Sequence, residues 1–310
     1  MNLTSPSQVK SWCIENGFHP NKTLGQNFLI DQNALKAIVD SGLEKVEKAG
    51  ERSVSVLEIG PGMGVLTEEM LKRGCKVTAI EKDPVLAERL EKESKSKVEV
   101  EQWWENLTLI TGDALDVLSQ SSTSTSTLDL SSHSTSTLDF DLSSHSTSTL
   151  DFDLSSFDCM ISNLPYQAGT RILLELVQAR TIPVITALVQ TEVAERLAAK
   201  EGSKVRGLAG VWAQLDYDVA ITRKVSASCF WPRPEIGSSV VRLIRHDRNV
   251  GLSAKERDVF HRLTKKAFEH RRKQLGSIFK DMIQSTARAE ELSNQDWINL
   301  TKGLVQNEDA

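Results

Sequence analysis

Four cysteines, Cys13, Cys75, Cys159 and Cys229, stand far apart in a chain of 310 residues, and no two form a C-x-x-C pair. That spacing reads as free thiols in a reducing compartment rather than as a disulfide framework or a zinc site. No apolar run is long enough to cross a bilayer. The N-terminus lacks a charged-then-apolar signal segment and carries an acid as early as Glu15. The expected setting is therefore cytoplasmic, with no membrane partner. There is no G-x-x-x-x-G-K-[ST] phosphate loop and no nucleophile with an adjacent base, which weighs against a kinase or a hydrolase. What remains, 39% hydrophobic and 25% charged, is the composition of a globular protein. It suffices for one large domain and one small one.

The net charge of −5 is unevenly spread. Residues 221–281 hold 15 Lys and Arg against 6 Asp and Glu. A basic region on a neutral body is the footprint of a polyanion partner, although a solvated charged surface gives the same count. Residues 119–156, by contrast, hold five Asp and no Lys or Arg. This stretch repeats itself with a period of 12: Leu138–Thr149 reads L-D-F-D-L-S-S-H-S-T-S-T, and Leu150–Ser156 restarts the same text. Ser, Thr and Asp bury too little to offset ordering entropy, which predicts a disordered insertion in the loop before the fourth strand. Its His133 and His145 have no other spaced nitrogen or sulfur ligands, so no metal is expected.

Pro6–Asn16 reads as a short helix, and Asp31 is a plausible N-cap for a helix after the loop Leu24–Ile30. Val54–Ile59 reads as a buried strand running into Gly60-Pro61-Gly62-Met63-Gly64 and a helical pattern over 65–73. Strand, glycine turn, helix is a nucleotide-binding layout, because glycines let a ligand approach the backbone. The spacing G-x-G-x-G is not the dinucleotide fingerprint. A second strand, Lys76–Ile80, ends at Glu81, where an acid can accept from both ribose hydroxyls. A third, Leu107–Ile110, ends in Gly112-Asp113, where a side chain can bind the exocyclic amine of an adenine.

The fourth strand, Phe157–Ile161, leads into Ser162-Asn163-Leu164-Pro165-Tyr166. An amide that donates and accepts, a rigid proline and a ring able to stack then stand where open α/β sheets bind ligands. On its own this text equally suits an ordinary strand-to-helix turn. A helix at Thr170–Ala179, a strand at Val184–Val189 and a helix at Thr191–Ala199 follow. Strands at Asp218–Lys224 and Ser239–Ile244 flank an extended Cys229–Pro234 loop, and the pattern is helical from Ser253 on, with a basic helix face at Ala267–Lys273. The order predicts an α/β fold: a Rossmann-like sheet over 1–246 and a small helical C-terminal domain over 247–310. A glycine turn, two strand-end acids and N-L-P-Y without a phosphate-binding lysine suit S-adenosyl-L-methionine, which has adenosine and an amino acid but no phosphate.

Longer motifs run through the chain: L-G-Q-N-F-L-I-D (24–31), L-E-I-G-P-G-M-G-V-L-T (57–67), A-I-E-K-D (79–83), G-D-A (112–114) and N-L-P-Y-Q-A-G-T (163–170). They end with Q-T-E-V-A-E-R-L (190–197), F-W-P-R-P-E-I-G-S-S-V-V-R-L (230–243) and A-F-E-H-R-R-K (267–273). In these motifs, across nearly the whole chain, the protein resembles the ribosomal RNA adenine N6-dimethyltransferases of the bacterial small-subunit type. The resemblance implies a class I methyltransferase fold and cofactor contacts at Asn27, Leu29, Gly60, Glu81, Asp113 and Asn163. It implies that Asn163 and the Pro165 carbonyl accept hydrogen bonds from the target amine while Tyr166 stacks on the base, with Phe230 as a second stacking face. Arg271, Arg272 and Lys273 would grip RNA phosphates. The implied partner is the small ribosomal subunit with its 16S rRNA, met by a monomer that dimethylates two adjacent adenines and serves subunit biogenesis.

Two features depart from the family pattern: the 119–156 repeat, and Arg206–Gly210, where relatives usually have a Ser nearby. Three alternatives stand beside this reading. They are a large-subunit methyltransferase of the macrolide-resistance type, a non-catalytic assembly factor, and a DNA adenine methyltransferase. The 230–243 text and basic tail favour the small subunit, N-L-P-Y favours catalysis, and no DNA target-recognition domain is evident.

Overall fold

A computed structural model describes residues 1–21, 24–46, 52–121, 152–249, 251–280 and 282–308. The chain opens with α1 (Pro6–Glu15), the short β1 (Phe28–Leu29) and α2 (Gln32–Leu43). Then come β2 (Ser55–Ile59), α3 (Val65–Lys72), β3 (Lys76–Glu81), α4 (Pro84–Lys97), β4 (Leu107–Thr111) and α5 (Ala114–Ser121). The second half holds β5 (Cys159–Asn163), α6 (Gly169–Ala179), β6 (Val184–Gln190), α7 (Thr191–Ala198) and α8 (Leu208–Asp216). It continues through β7 (Tyr217–Val225), β8 (Phe230–Trp231) and β9 (Ser238–Arg245), and ends in α9 (Ala254–Glu269), α10 (Leu275–Ile278) and α11 (Asn294–Glu308).

Among the described residues seven strands form one sheet, in the order β4-β3-β2-β5-β6-β9-β7. The first five run parallel, and β9 pairs antiparallel with β6 and β7. The order reverses between β2 and β5, which pair only through Val56–Cys159 and Leu57–Met160. Beyond that point the Ile59 amide donates to the Ser162 hydroxyl at 2.8 Å instead of to a strand carbonyl. The two strands part there and open a crevice at their C-terminal ends, the usual ligand position in such sheets. The central strands are apolar on both faces: every residue from Val184 to Val189 is buried, as helices on each side require.

Three places differ from the sequence-based expectation. Helix α8 is absent from it, because Val211, Trp212, Ala213 and Leu215 bury the helix against both the sheet layer and the C-terminal helices. A helix covered on most sides has no polar face to give it a readable period. The basic triplet Arg271, Arg272 and Lys273 lies in the turn after α9 rather than on a helix face. The Lys273 amide donates to the His270 carbonyl at 2.7 Å as the chain turns to bury Leu275 and Phe279.

The third difference concerns the stretch expected to be disordered, whose two ends belong to the fold. Residues up to Ser121 continue α5, and Leu154 is buried in the core beside Phe157. Asp153 caps that short turn by accepting from the Ser155 amide at 2.8 Å. Residues 122–151, the bulk of the repeat, lie outside the described residues. Among the described residues no helix is long and apolar enough to cross a membrane.

Candidate active site

The crevice holds a cavity of about 230 Å³. Asn27, Leu29, Gly60, Glu81, Asp113, Asn163, Pro165 and Tyr166 all line it, together with Glu58, Gln26 and Lys82. Each comes from the end of a neighbouring element. Gly60 and Gly62 follow β2 with φ of +67° and +57°, a left-handed turn that a side chain would strain. Glu81 ends β3 and is 5% exposed. Its carboxylate holds the turn, accepting from the Gly62 amide at 2.9 Å and the Asp83 amide at 2.8 Å. Each oxygen keeps a further lone pair for a hydroxyl donor. Burial pushes the Glu81 carboxyl above its usual range, against those amide bonds.

Asp113 follows β4. It accepts from Lys82 Nζ at 2.7 Å and from the Leu115 amide at 2.8 Å. Partial burial works to raise its pKa, but Lys82 and the amide outweigh it and leave the carboxyl below the usual range. Lys82 is the one Lys or Arg among the described residues lining the cavity, and it is spent on Asp113. A cavity with several carboxyls and no free cation among the described residues fits a ligand that carries positive charge and lacks phosphate. On this ground the residues present fit S-adenosylmethionine.

Asn163 is the last residue of β5, and its Nδ2 donates to the Asn27 carbonyl at 3.0 Å. That bond fixes the amide, and its Oδ1 accepts no hydrogen bond from the described residues. The Pro165 carbonyl accepts from the Gly169 amide at 2.8 Å, which leaves one lone pair. The N-terminal segment is strapped across this corner. Gln26 Nε2 donates to Asp83 at 2.7 Å and Asn27 Nδ2 to the Gly25 carbonyl at 3.1 Å. Gly25, at φ +66°, lies so close that a Cβ there would sit 3.1 Å from the Tyr166 amide nitrogen.

Glu58 is a cavity residue that the motifs do not single out. It is 1% exposed and accepts from the Thr67 hydroxyl at 2.6 Å. Burial, with a smaller push from Glu81, lifts its carboxyl to about 8, against the Thr67 bond. The available signals are its place inside the 57–67 motif and as the acid in the apolar strand text Val56-Leu57-Glu58-Ile59.

Two groups of expected site residues lie elsewhere. Phe230 is 3% exposed and packs in the core cluster of Leu29, Leu188 and Val240, because β8 pairs with β1. It does not line the cavity, and its ring has no open face for a base. The Arg271–Lys273 turn is also outside the cavity. Arg272 and Lys273 are exposed, whereas Arg271 is tied to the Lys204 carbonyl and stands 3.6 Å from Glu290.

The family model described as ribosomal RNA adenine dimethylase matches residues 17–306. The chain belongs to that family. A ribosomal RNA small subunit methyltransferase A of Deinococcus radiodurans is 36% identical over 245 residues, which is 78% of this chain and 67% of that protein. One of Mycobacterium tuberculosis is 32% identical over 100% of this chain and 91% of its own length. Two solved structures share the fold at 20% identity and cover 90% of this chain. The dimethyladenosine transferase of Plasmodium falciparum matches over 98% of its own chain with a TM-score of 0.65. The 23S rRNA methyltransferase ErmE matches over 100% of its own with 0.60. Membership of this dimethylase family agrees with the sheet, the switch-point cavity and the N-L-P-Y corner.

Proposed function

We propose that this protein transfers methyl groups from S-adenosylmethionine to the N6 amines of two adjacent adenines in 16S rRNA, acting as a cytoplasmic monomer on the small ribosomal subunit. The observation that carries the reading is the hydrogen bonding of Asn163, whose NH2 donates to Asn27 and whose Oδ1 remains an acceptor, in a cavity that Pro165, with a spare carbonyl lone pair, also lines. S-adenosylmethionine, when bound, supplies an electrophilic methyl on its sulfonium.

Glu81 and Asp113 hold the ribose and adenine ends of the cofactor, Gly60 gives its amino-acid part room, and Asn27 and Leu29 close over it. The target base must leave its stack to enter, and Tyr166 offers a ring for it to stack on. An adenine amine is a poor nucleophile because its lone pair is conjugated into the ring. Two acceptors, Asn163 Oδ1 and the Pro165 carbonyl, draw its hydrogens out of the ring plane and localise that pair. No strong base is needed, since the methylated cationic nitrogen sheds its proton to water. Positioning therefore supplies most of the rate. Arg272 and Lys273 add sequence-independent phosphate contacts.

The relatives named as small-subunit methyltransferases support the choice of RNA. Purified protein with labelled S-adenosylmethionine should label RNA in undermethylated small subunits and leave large subunits unlabelled. Label confined to large-subunit RNA would overturn the substrate assignment.

A further inference from the structure

We infer that Ser238 is a positioning residue for Tyr166: its hydroxyl anchors the far end of the tyrosine side chain and so sets where the ring stands for the target adenine. The inference rests on the methyl-transfer reading above. Tyr166 Oη and Ser238 Oγ lie 2.5 Å apart. Ser238 is 1% exposed and opens β9, in register with Gln190 of β6 on one side and Val225 of β7 on the other. Its neighbours are pinned as well. The Thr191 amide donates to the Gly237 carbonyl at 3.0 Å, and the Thr191 and Ser239 hydroxyls are 3.0 Å apart. The Ser238 hydroxyl is thus presented by three paired strands.

Tyr166 has its backbone in the loop between β5 and α6, so its ring is held by a loop at one end and by the sheet at the other. Holding Oη settles χ1, the direction in which the ring points, and because a phenol O–H prefers the ring plane the hydrogen bond also restrains rotation about χ2. Burial raises the Tyr166 hydroxyl above its usual range, so it stays a protonated phenol able to donate. Ser238 is buried, so its hydroxyl needs a partner, and the half-buried tyrosine hydroxyl supplies it. Ser238 does not line the cavity, so its effect on the reaction passes through Tyr166.

The chain has two tyrosines, Tyr166 and Tyr217. Protein labelled with carbon-13 at tyrosine Cζ therefore gives two signals, and the one missing from Tyr166→Phe belongs to Tyr166. Ser238→Ala is expected to move that signal and leave the other. It should also lower kcat by about 10- to 100-fold with KM for S-adenosylmethionine within about 2-fold. Ser238→Thr, which keeps the hydroxyl, should restore both readouts; Ser238→Cys replaces Ser238→Ala if the latter does not fold. Tyr166→Phe should lower kcat similarly, and the double variant no further. An unmoved Tyr166 signal in Ser238→Ala, or undiminished kcat, overturns the inference. Absence of transfer by the wild-type chain overturns the reading beneath it, while the signals still report on the hydroxyl pair.

Discussion

The side-chain amide of Asn163 donates to the backbone carbonyl of Asn27 at 3.0 Å, joining two segments 136 residues apart. One side chain thereby ties the N-terminal strap to the corner proposed to receive the target amine. Asn163→Asp keeps the shape but presents only acceptors to the Asn27 carbonyl. Losing this part-buried hydrogen bond and gaining a repulsion costs about 1–3 kcal/mol. Calorimetry with S-adenosylhomocysteine should show binding weakened about 10-fold, with methyl transfer lower by about 100-fold. Unchanged binding would show that the strap is held by other interactions.

Glu81 has two duties under the proposed function, since a carboxylate that lines the cavity also accepts from the Gly62 and Asp83 amides. Glu81→Gln must turn its NH2 toward one of those amides. Cofactor affinity should drop by about 10- to 100-fold, with a stability loss on the order of 1–3 kcal/mol in urea titration. A variant weakened in binding but not in stability would separate the two duties.

Glu58 gives a pH signature. Its folded carboxyl titrates near 8, against a usual 4.5, because burial disfavours the charged form. The native state therefore retains a proton that the unfolded chain releases. The resulting stability is fully present below the unfolded value and is lost as pH rises through the folded one. Glu58→Gln keeps an acceptor for Thr67 and removes the titration. The wild-type stability relative to this variant should fall between about pH 4.5 and 8, by a few kcal/mol at most. Parallel urea-derived stabilities across that range would contradict the assignment.

Arg272 and Lys273 are exposed, and Arg271 is engaged by Lys204 and stands near Glu290. Replacing Arg272 and Lys273 by Gln should weaken RNA binding and flatten its salt dependence. The logarithmic slope should shrink by about 0.7–0.9 for each phosphate no longer neutralised. S-adenosylmethionine affinity should not change. Filter binding across a salt series measures the first and calorimetry the second.

The parts of the site legible in the sequence are those encoded locally. The glycine turn, Glu81, Asp113 and N-L-P-Y each sit a few residues from the strand that positions them, so strand ends locate them. The pairings between distant segments are not legible. Nothing near Asn163 names Asn27 as its partner, and Tyr166 meets Ser238 only because β9 inserts between β6 and β7. Phe230 misleads for a related reason. Pro232 and Pro234 after it announce an extended segment, which is correct, but the pairing of β8 with β1 turns the ring into the core. Glu58 is hidden by its strand, where a neutral buried acid reads as one polar letter in an apolar run.

The most direct test of the central claim is mass spectrometry of adenines in small-subunit rRNA from cells lacking this protein, complemented with wild type or Asn163→Ala. A neighbouring pair of N6,N6-dimethyladenines should be missing without the protein, return with the wild type and stay missing with Asn163→Ala. A pair that persists without the protein, or returns with Asn163→Ala, would contradict the account.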